Sequence, residues 1–161
     1  MKQHPPLPPL RYEVGIYCRV STASKTQVVS AGHQLSGLIA DVANSQQARL
    51  YDVYLDIQSG RTSDNRKNLM RLLDDCRTGR VTLVYTKSIS RFARNTVDVL
   101  AIVRELKKMN VPVYFENEQL YSFDKEAELA ISLHGAIAQG ESENKSENIK
   151  WSLDSIMVPK K

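Results

Sequence analysis

The chain has 161 residues, of which 42% are hydrophobic and 25% charged, with a formal net charge of +4. A single domain of that size buries roughly two-thirds of its unfolded surface and folds without staples. Cys18 and Cys76 stand inside apolar segments, away from any disulfide-framework or zinc-ligand spacing, and no stretch is apolar and long enough to span a bilayer. A disulfide-rich secreted domain and a membrane protein are therefore not expected, and a cytoplasmic location is.

The opening MKQHPPLPPL carries Pro5, Pro6, Pro8 and Pro9 and lacks the continuous apolar run of a secretory signal. It predicts a loose, extended arm over residues 1–11. Four short runs rich in β-branched and aromatic residues follow: VGIYC (14–18), LYDVYL (50–55), VTLVY (81–85) and VPVYF (111–115). A helix-length segment separates each pair, the alternation of a mainly parallel, four- to five-stranded α/β sheet flanked by helices, here spanning residues 12–123.

Between the first two runs, Leu35, Leu38, Ile39 and Val42 recur at helical spacing behind Ser30, a suitable N-cap, with Gly32 and Gly37 weakening the helix. A second helix uses Leu69, Leu72, Leu73 and Cys76 and stops at Gly79. A third carries Val99, Leu100, Val103, Leu106 and Met109, capped by Asn95 or Thr96 and closed by Lys107 and Lys108 near its negative end. From Asp124 to about Ile156 the sequence predicts one long helix that begins the last segment, 124–161. Its first half offers Leu129, Ile131, Leu133 and Ile137. Its second half, GESENKSENIK (140–150), has one apolar residue in eleven and needs a partner to stay helical.

Charge is unevenly placed. Residues 61–108 carry twelve Lys or Arg against five acids, whereas residues 116–147 carry two against eight. One surface should therefore attract polyanions.

The chemistry concentrates where strands end. YCRVSTASKTQ follows the first run, so Arg19, Ser21 and Thr22 fall at the carboxyl edge of the sheet, the usual ligand crevice of such folds. The loop after the second run adds Ser59, Gly60 and Arg66, and the loop after the third adds Lys87, Arg91 and Arg94. A serine in such a loop is also a common turn or cap residue, and arginines beside a helix are often merely solvated. A Ser-His-Asp triad is not expected, because His4 lies in the arm and His33 and His134 lie on predicted helices. There is no Walker loop and no clustered metal spacing, so neither a metal nor a cofactor is expected. Serine with arginines suits a phosphate, since the planar guanidinium fork stays charged and donates two parallel hydrogen bonds to its oxygens. Structural readings are favoured for Asp56 as a cap, Phe92 as a core anchor, Glu116 as an exposed loop glutamate and Gly60 as a residue chosen for backbone conformation.

Taken together, YCRVST, Gln27, Ser30 and Gln34, SGRTSDNRKNL, KSISRFARNT, VYFENEQL and AIAQGESENKSENIKWS resemble the catalytic domain of resolvase/invertase serine recombinases, large members of mobile elements in particular. The resemblance covers residues 12 to about 153. It implies a resolvase-like fold and Ser21 as a nucleophile that attacks a DNA phosphodiester. A 5′-phosphoserine link and a free 3′ hydroxyl would form, with strand exchange and religation following without ATP. It also implies Arg19, Arg66, Arg91 and Arg94 around the phosphate, with Gln34 and Lys87 in support. Double-stranded DNA is the implied partner, and helix 124–156 the implied means of forming a dimer and a synaptic tetramer. Small resolvases have an aspartate immediately before the first arginine of KSISRFARNT, where this chain has Ser90, so no carboxylate is assigned there as acid or base. The chain stops at VPKK, where a large member continues into DNA-binding modules, which implies a piece of a longer protein. Two other readings stay open: an interaction module that keeps the fold without cutting, and an unrelated α/β phosphatase or esterase.

Overall fold

The structure is a computed structural model and describes residues 11–21, 24–58 and 65–140. Its elements in chain order are β1 (Tyr12–Ser21), α1 (Lys25–Asn44), β2 (Ala48–Gln58), α2 (Lys67–Arg77), β3 (Leu83–Thr86), α3 (Ile89–Phe92), α4 (Thr96–Lys108), β4 (Val113–Phe115) and β5 (Leu120–Tyr121). A further helix, α5, occupies residues 127–140. The sheet order is β2-β1-β3-β4-β5, parallel except for β5, which returns antiparallel to β4. All four predicted runs become strands.

Strand alternation divides the core between the two faces of the sheet. On one face Val14, Ile16 and Tyr85 pack with Leu38 and Val42 of α1. On the other, Tyr17 and Tyr54 pack with Leu69, Leu72, Leu73 and Cys76 of α2, Val99, Ile102, Val103 and Leu106 of α4, and Ile131 of α5. Phe92 is fully buried there and meets Tyr17 and Phe115 edge to face at 5.8 and 5.5 Å, which makes it the core anchor expected.

Two helix starts and one short helix differ from the sequence reading. The first helix starts at Lys25 rather than behind Ser30, and its cap is Ser24, whose Oγ accepts from the Gln27 amide at 3.2 Å. The reason is chemical: Ser24 and Gln27 have capping-box spacing, while Val28 and Val29 in the next turn are exposed and give no core periodicity to read. Arg91 lies not in an open loop but in α3, one turn capped by Ser88. At the last helix, residues 124–126 form a turn in which Asp124 Oδ2 accepts from the Tyr121 amide, so the helix begins three residues later than expected. Residues 141–156 of that predicted helix, like residues 1–10 of the predicted arm 1–11, lie outside the described residues. The other two helix ends agree: Asn95 caps α4 by accepting from the Asp98 amide at 2.9 Å, and Gly79 follows α2 at φ 75°, a left-handed backbone that glycine adopts freely.

Asp56 shows how buried charge holds this frame. One oxygen accepts from Tyr17 Oη and the Leu69 amide, the other from the Asn68 amide, each at 3.0 Å, so the carboxylate seals the start of α2 against β1. It is the structural residue expected. Asp56→Ala should leave the phenol and two amides unsatisfied and lower stability by roughly 3 kcal/mol. Chemical denaturation measures this, and a loss under about 1 kcal/mol would show that water replaces the carboxylate.

Candidate active site

Parallel sheets of this order bind ligands where neighbouring crossovers diverge, outside the carboxyl ends of the strands. Here that switch point lies between β1 and β3, and β1 delivers Arg19 and Ser21 to it. Side chains two apart share a face, so Tyr17, Arg19 and Ser21 follow one another along the α2/α3 side of the sheet. In the adjoining strand Tyr54, Asp56 and Gln58 stand opposite them, residue for residue.

A cavity of about 290 Å³ opens there, lined by Arg19, Val20, Ser21, Gln58, Ser90 and Arg91. Ser21 therefore shares one wall-space with Arg19 from its own strand and Arg91 from α3. The Arg19 guanidinium is half-buried. Nη1 donates to Gln58 Oε1 at 2.8 Å, and Nη2 donates to the Ser90 and Ala93 carbonyls at 3.4 and 3.5 Å. Burial lowers its proton affinity first. The Tyr17 phenol opposes that, while the fields of Arg66, Arg94 and Arg91 lower it further. The fields of three other cations thus reach the Arg19 guanidinium, although only Arg91 shares its cavity. Burial likewise pushes the Tyr17 hydroxyl well above its usual range, reinforced by Asp56, so it stays a protonated donor beside the site. Burial raises the Cys18 thiol too, against the pull of Arg91.

The structure brings together some of the sequence-predicted residues and separates others. Arg66 and Arg94 line a neighbouring concavity of about 620 Å³ with Asn95, Val97, Asp98 and Ala101 rather than the Ser21 cavity. The Arg66 guanidinium is ion-paired through Nη2 with Asp98 in the first turn of α4. Lys87 pairs with Glu116 at 2.7 Å, so Glu116 is a charge partner and not just a solvated loop residue. Gln34 sits half-buried on α1, and neither it nor Lys87 lines the Ser21 cavity. Ser90 Oγ lies 3.1 Å from Ser88 Oγ, so this position holds a hydroxyl pair. Thr22, Ser59 and Gly60 fall outside the described residues. Sequence reading missed Gln58 and Asp98. The first was legible only from the alternation Tyr54, Asp56, Gln58, and the second from an acid placed at the start of a helix beside a cation-rich edge.

Among the described residues, no group of three or more His, Cys, Asp or Glu could hold a metal ion, and no helix is long and apolar enough to cross a membrane.

Known proteins share this architecture. The chain is 29% identical over 130 residues to a putative DNA recombinase of Bacillus subtilis (strain 168), covering 80% of the chain and 25% of that protein. It is 29% identical over 125 residues to the R46 site-specific recombinase of Escherichia coli, covering 78% and 60% respectively. It thus spans a quarter and three-fifths of the lengths of these relatives. A resolvase family site-specific recombinase from Streptococcus pneumoniae superposes with a TM-score of 0.63 at 26% identity, over 92% of this chain and 100% of that one. The N-terminal catalytic domain of TP901-1 integrase superposes at 0.59 and 23% identity, over 81% and 97%, and so supports the fold alone. The family model described as Resolvase, N terminal domain matches residues 14–156, nearly the whole length, and on that match this chain belongs to the resolvase family.

Proposed function

We propose that this chain is the catalytic domain of a serine-type, site-specific DNA recombinase acting on duplex DNA in the cytoplasm. The observation that carries the reading is the cavity at the β1/β3 switch point, where Ser21, Arg19 and Arg91 share one space. Ser21 Oγ forms a bond to the scissile phosphorus as the bond from phosphorus to the 3′ oxygen breaks. The serine proton passes to solvent, and the departing oxygen takes a proton to become a 3′ hydroxyl. A 5′-phosphoserine link remains and keeps the phosphodiester's energy, so attack by a 3′ hydroxyl restores both DNA and serine without ATP.

Arg19 and Arg91 neutralise charge growing on the non-bridging oxygens, where preorganised donors contribute most. Arg66 reaches the phosphate when DNA displaces the Asp98 carboxylate, and Arg94 works from the adjoining concavity. Lys87 and Gln34 support the DNA path from further out. The excess of basic residues between 61 and 108 supplies the sequence-independent attraction to the backbone. On α5, Leu129, Leu133 and Ile137 are 74%, 59% and 55% exposed along one stripe, which supports self-association of copies into a dimer and synaptic tetramer through this helix.

The test uses the complete gene product and duplex DNA selected for binding from a random library, quenched in detergent. The expected result is protein covalently held on 5′ ends, with 3′ ends that a polymerase extends. Free 5′ ends, or protein on 3′ ends, would contradict the proposal.

A further inference from the structure

Arg19 lines the same cavity as Ser21, yet little fixes its guanidinium there. Two of its contacts, to the Ser90 and Ala93 carbonyls at 3.4 and 3.5 Å, are at the long limit for a hydrogen bond. Its Nε is buried without a partner among the described residues. The one short contact is to Gln58 Oε1 at 2.8 Å. Gln58 is opposite Ser21 in the parallel register and lines the same cavity, so a rigid strand pair sets its distance from the serine.

From this we infer that Gln58 is a positioning residue, whose neutral amide oxygen aims the Arg19 guanidinium at the phosphate held against Ser21. The inference rests on the reading of Ser21 as nucleophile. Neutrality is the essential property. A carboxylate at this place would grip the guanidinium harder, since charge-assisted bonds are stronger, but it would cancel the positive charge that a phosphate needs. An aliphatic side chain would leave the charge and lose the aim. The amide does neither: its dipole stabilises a half-buried cation and leaves the full charge in the cavity. Arg91, the other cation lining this cavity, makes the same demand, because a carboxylate between the two guanidiniums would occupy the seat of the substrate.

Two substitutions separate this role from a purely structural one. Gln58→Met keeps the length and removes the acceptor. Gln58→Glu keeps the acceptor and adds charge. Both are made in the complete gene product and assayed on the library-selected duplex for three quantities: the rate of protein–DNA link formation at saturating DNA, equilibrium DNA affinity and the thermal midpoint. Gln58→Met should slow link formation by about a hundredfold, the typical effect of misplacing a catalytic group by about 1 Å, with affinity kept within about twofold. Gln58→Glu should slow it at least as much, while the thermal midpoint stays level or rises. A merely structural glutamine gives the opposite second result, a glutamate variant as fast as wild type. Wild-type rates in either variant overturn the inference. A wild-type protein that forms no link overturns the underlying reading of Ser21 and this inference with it.

Discussion

Ser21→Ala should abolish the covalent protein–DNA species altogether while leaving DNA binding intact. The hydroxyl carries no charge, so its loss removes the bond-forming atom without changing the counterion release that dominates affinity for the backbone. Arg91→Ala makes the contrasting case. Its guanidinium lines the Ser21 cavity from α3, so link formation should slow by about 10²–10³-fold, the usual effect of removing one transition-state donor. The salt dependence of binding should also fall by about one unit of slope. Arg91→Lys should recover part of the rate, because a point charge replaces a planar fork. Arg91 is a cleaner probe than Arg19 or Arg66. Removing Arg19 also releases Gln58 and two α3-region carbonyls, and removing Arg66 strands the Asp98 carboxylate. Denaturing gels of the trapped species measure these rates, and a link that survives in Ser21→Ala would refute the assignment.

The second large effect concerns the docking of α5. A Cβ built on Gly135 would fall inside the Thr96 hydroxyl and lie 2.7 Å from Thr96 Cβ, so α5 crosses the start of α4 at a distance that glycine alone permits. Two physical effects then oppose each other in Gly135→Ala. Helix propensity favours alanine by about 1 kcal/mol, whereas overpacking costs about 1–3 kcal/mol. The clash reaches Thr96 Cβ, which is bonded to the α4 backbone, and not the hydroxyl alone, so overpacking should win. Gly135→Ala is expected to destabilise the domain by up to about 2 kcal/mol net, and Gly135→Leu by about 3 kcal/mol or more, as α5 lifts from α4. Thr96→Gly should restore much of the loss. Equilibrium denaturation decides by sign, and a stabilised Gly135→Ala would show that α5 does not approach α4 this closely. The same turn of α4 carries Asp98, which holds Arg66, so movement of α5 also bears on that cation.

Much of this was legible in the sequence, for reasons that differ by residue. The strand runs were readable because a parallel sheet covered on both faces demands continuous apolar stretches, and Val14 to Cys18 supplies one. Helices α2 and α4 were readable because Leu69, Leu72, Leu73 and Cys76, and Val99, Val103 and Leu106, are all buried at helical spacing. The first turns of α1 were not, since Val28 and Val29 face solvent and only the Ser24 cap marks the start. Strand β5 has two residues and α3 four, too few for any period to register.

The site was legible as a place rather than as a geometry. Loop position and residue type put Arg19, Ser21 and Arg91 at the sheet edge, where they share a cavity. Chain order could not assign Arg66 and Arg94 to the adjoining concavity, because an ion pair with Asp98, distant in sequence, fixes Arg66 there. Gln58 escaped notice because an amide at a strand end has no chemical signature until a neighbouring strand brings it to a cation.

Everything proposed for function turns on which atom bonds to phosphorus. The most direct measurement is peptide mapping of the trapped protein–DNA species by mass spectrometry after nuclease and protease digestion. The expected result is a nucleotide joined through its 5′ phosphate to the peptide containing Ser21. A nucleotide on any other residue, or joined through a 3′ phosphate, would contradict it.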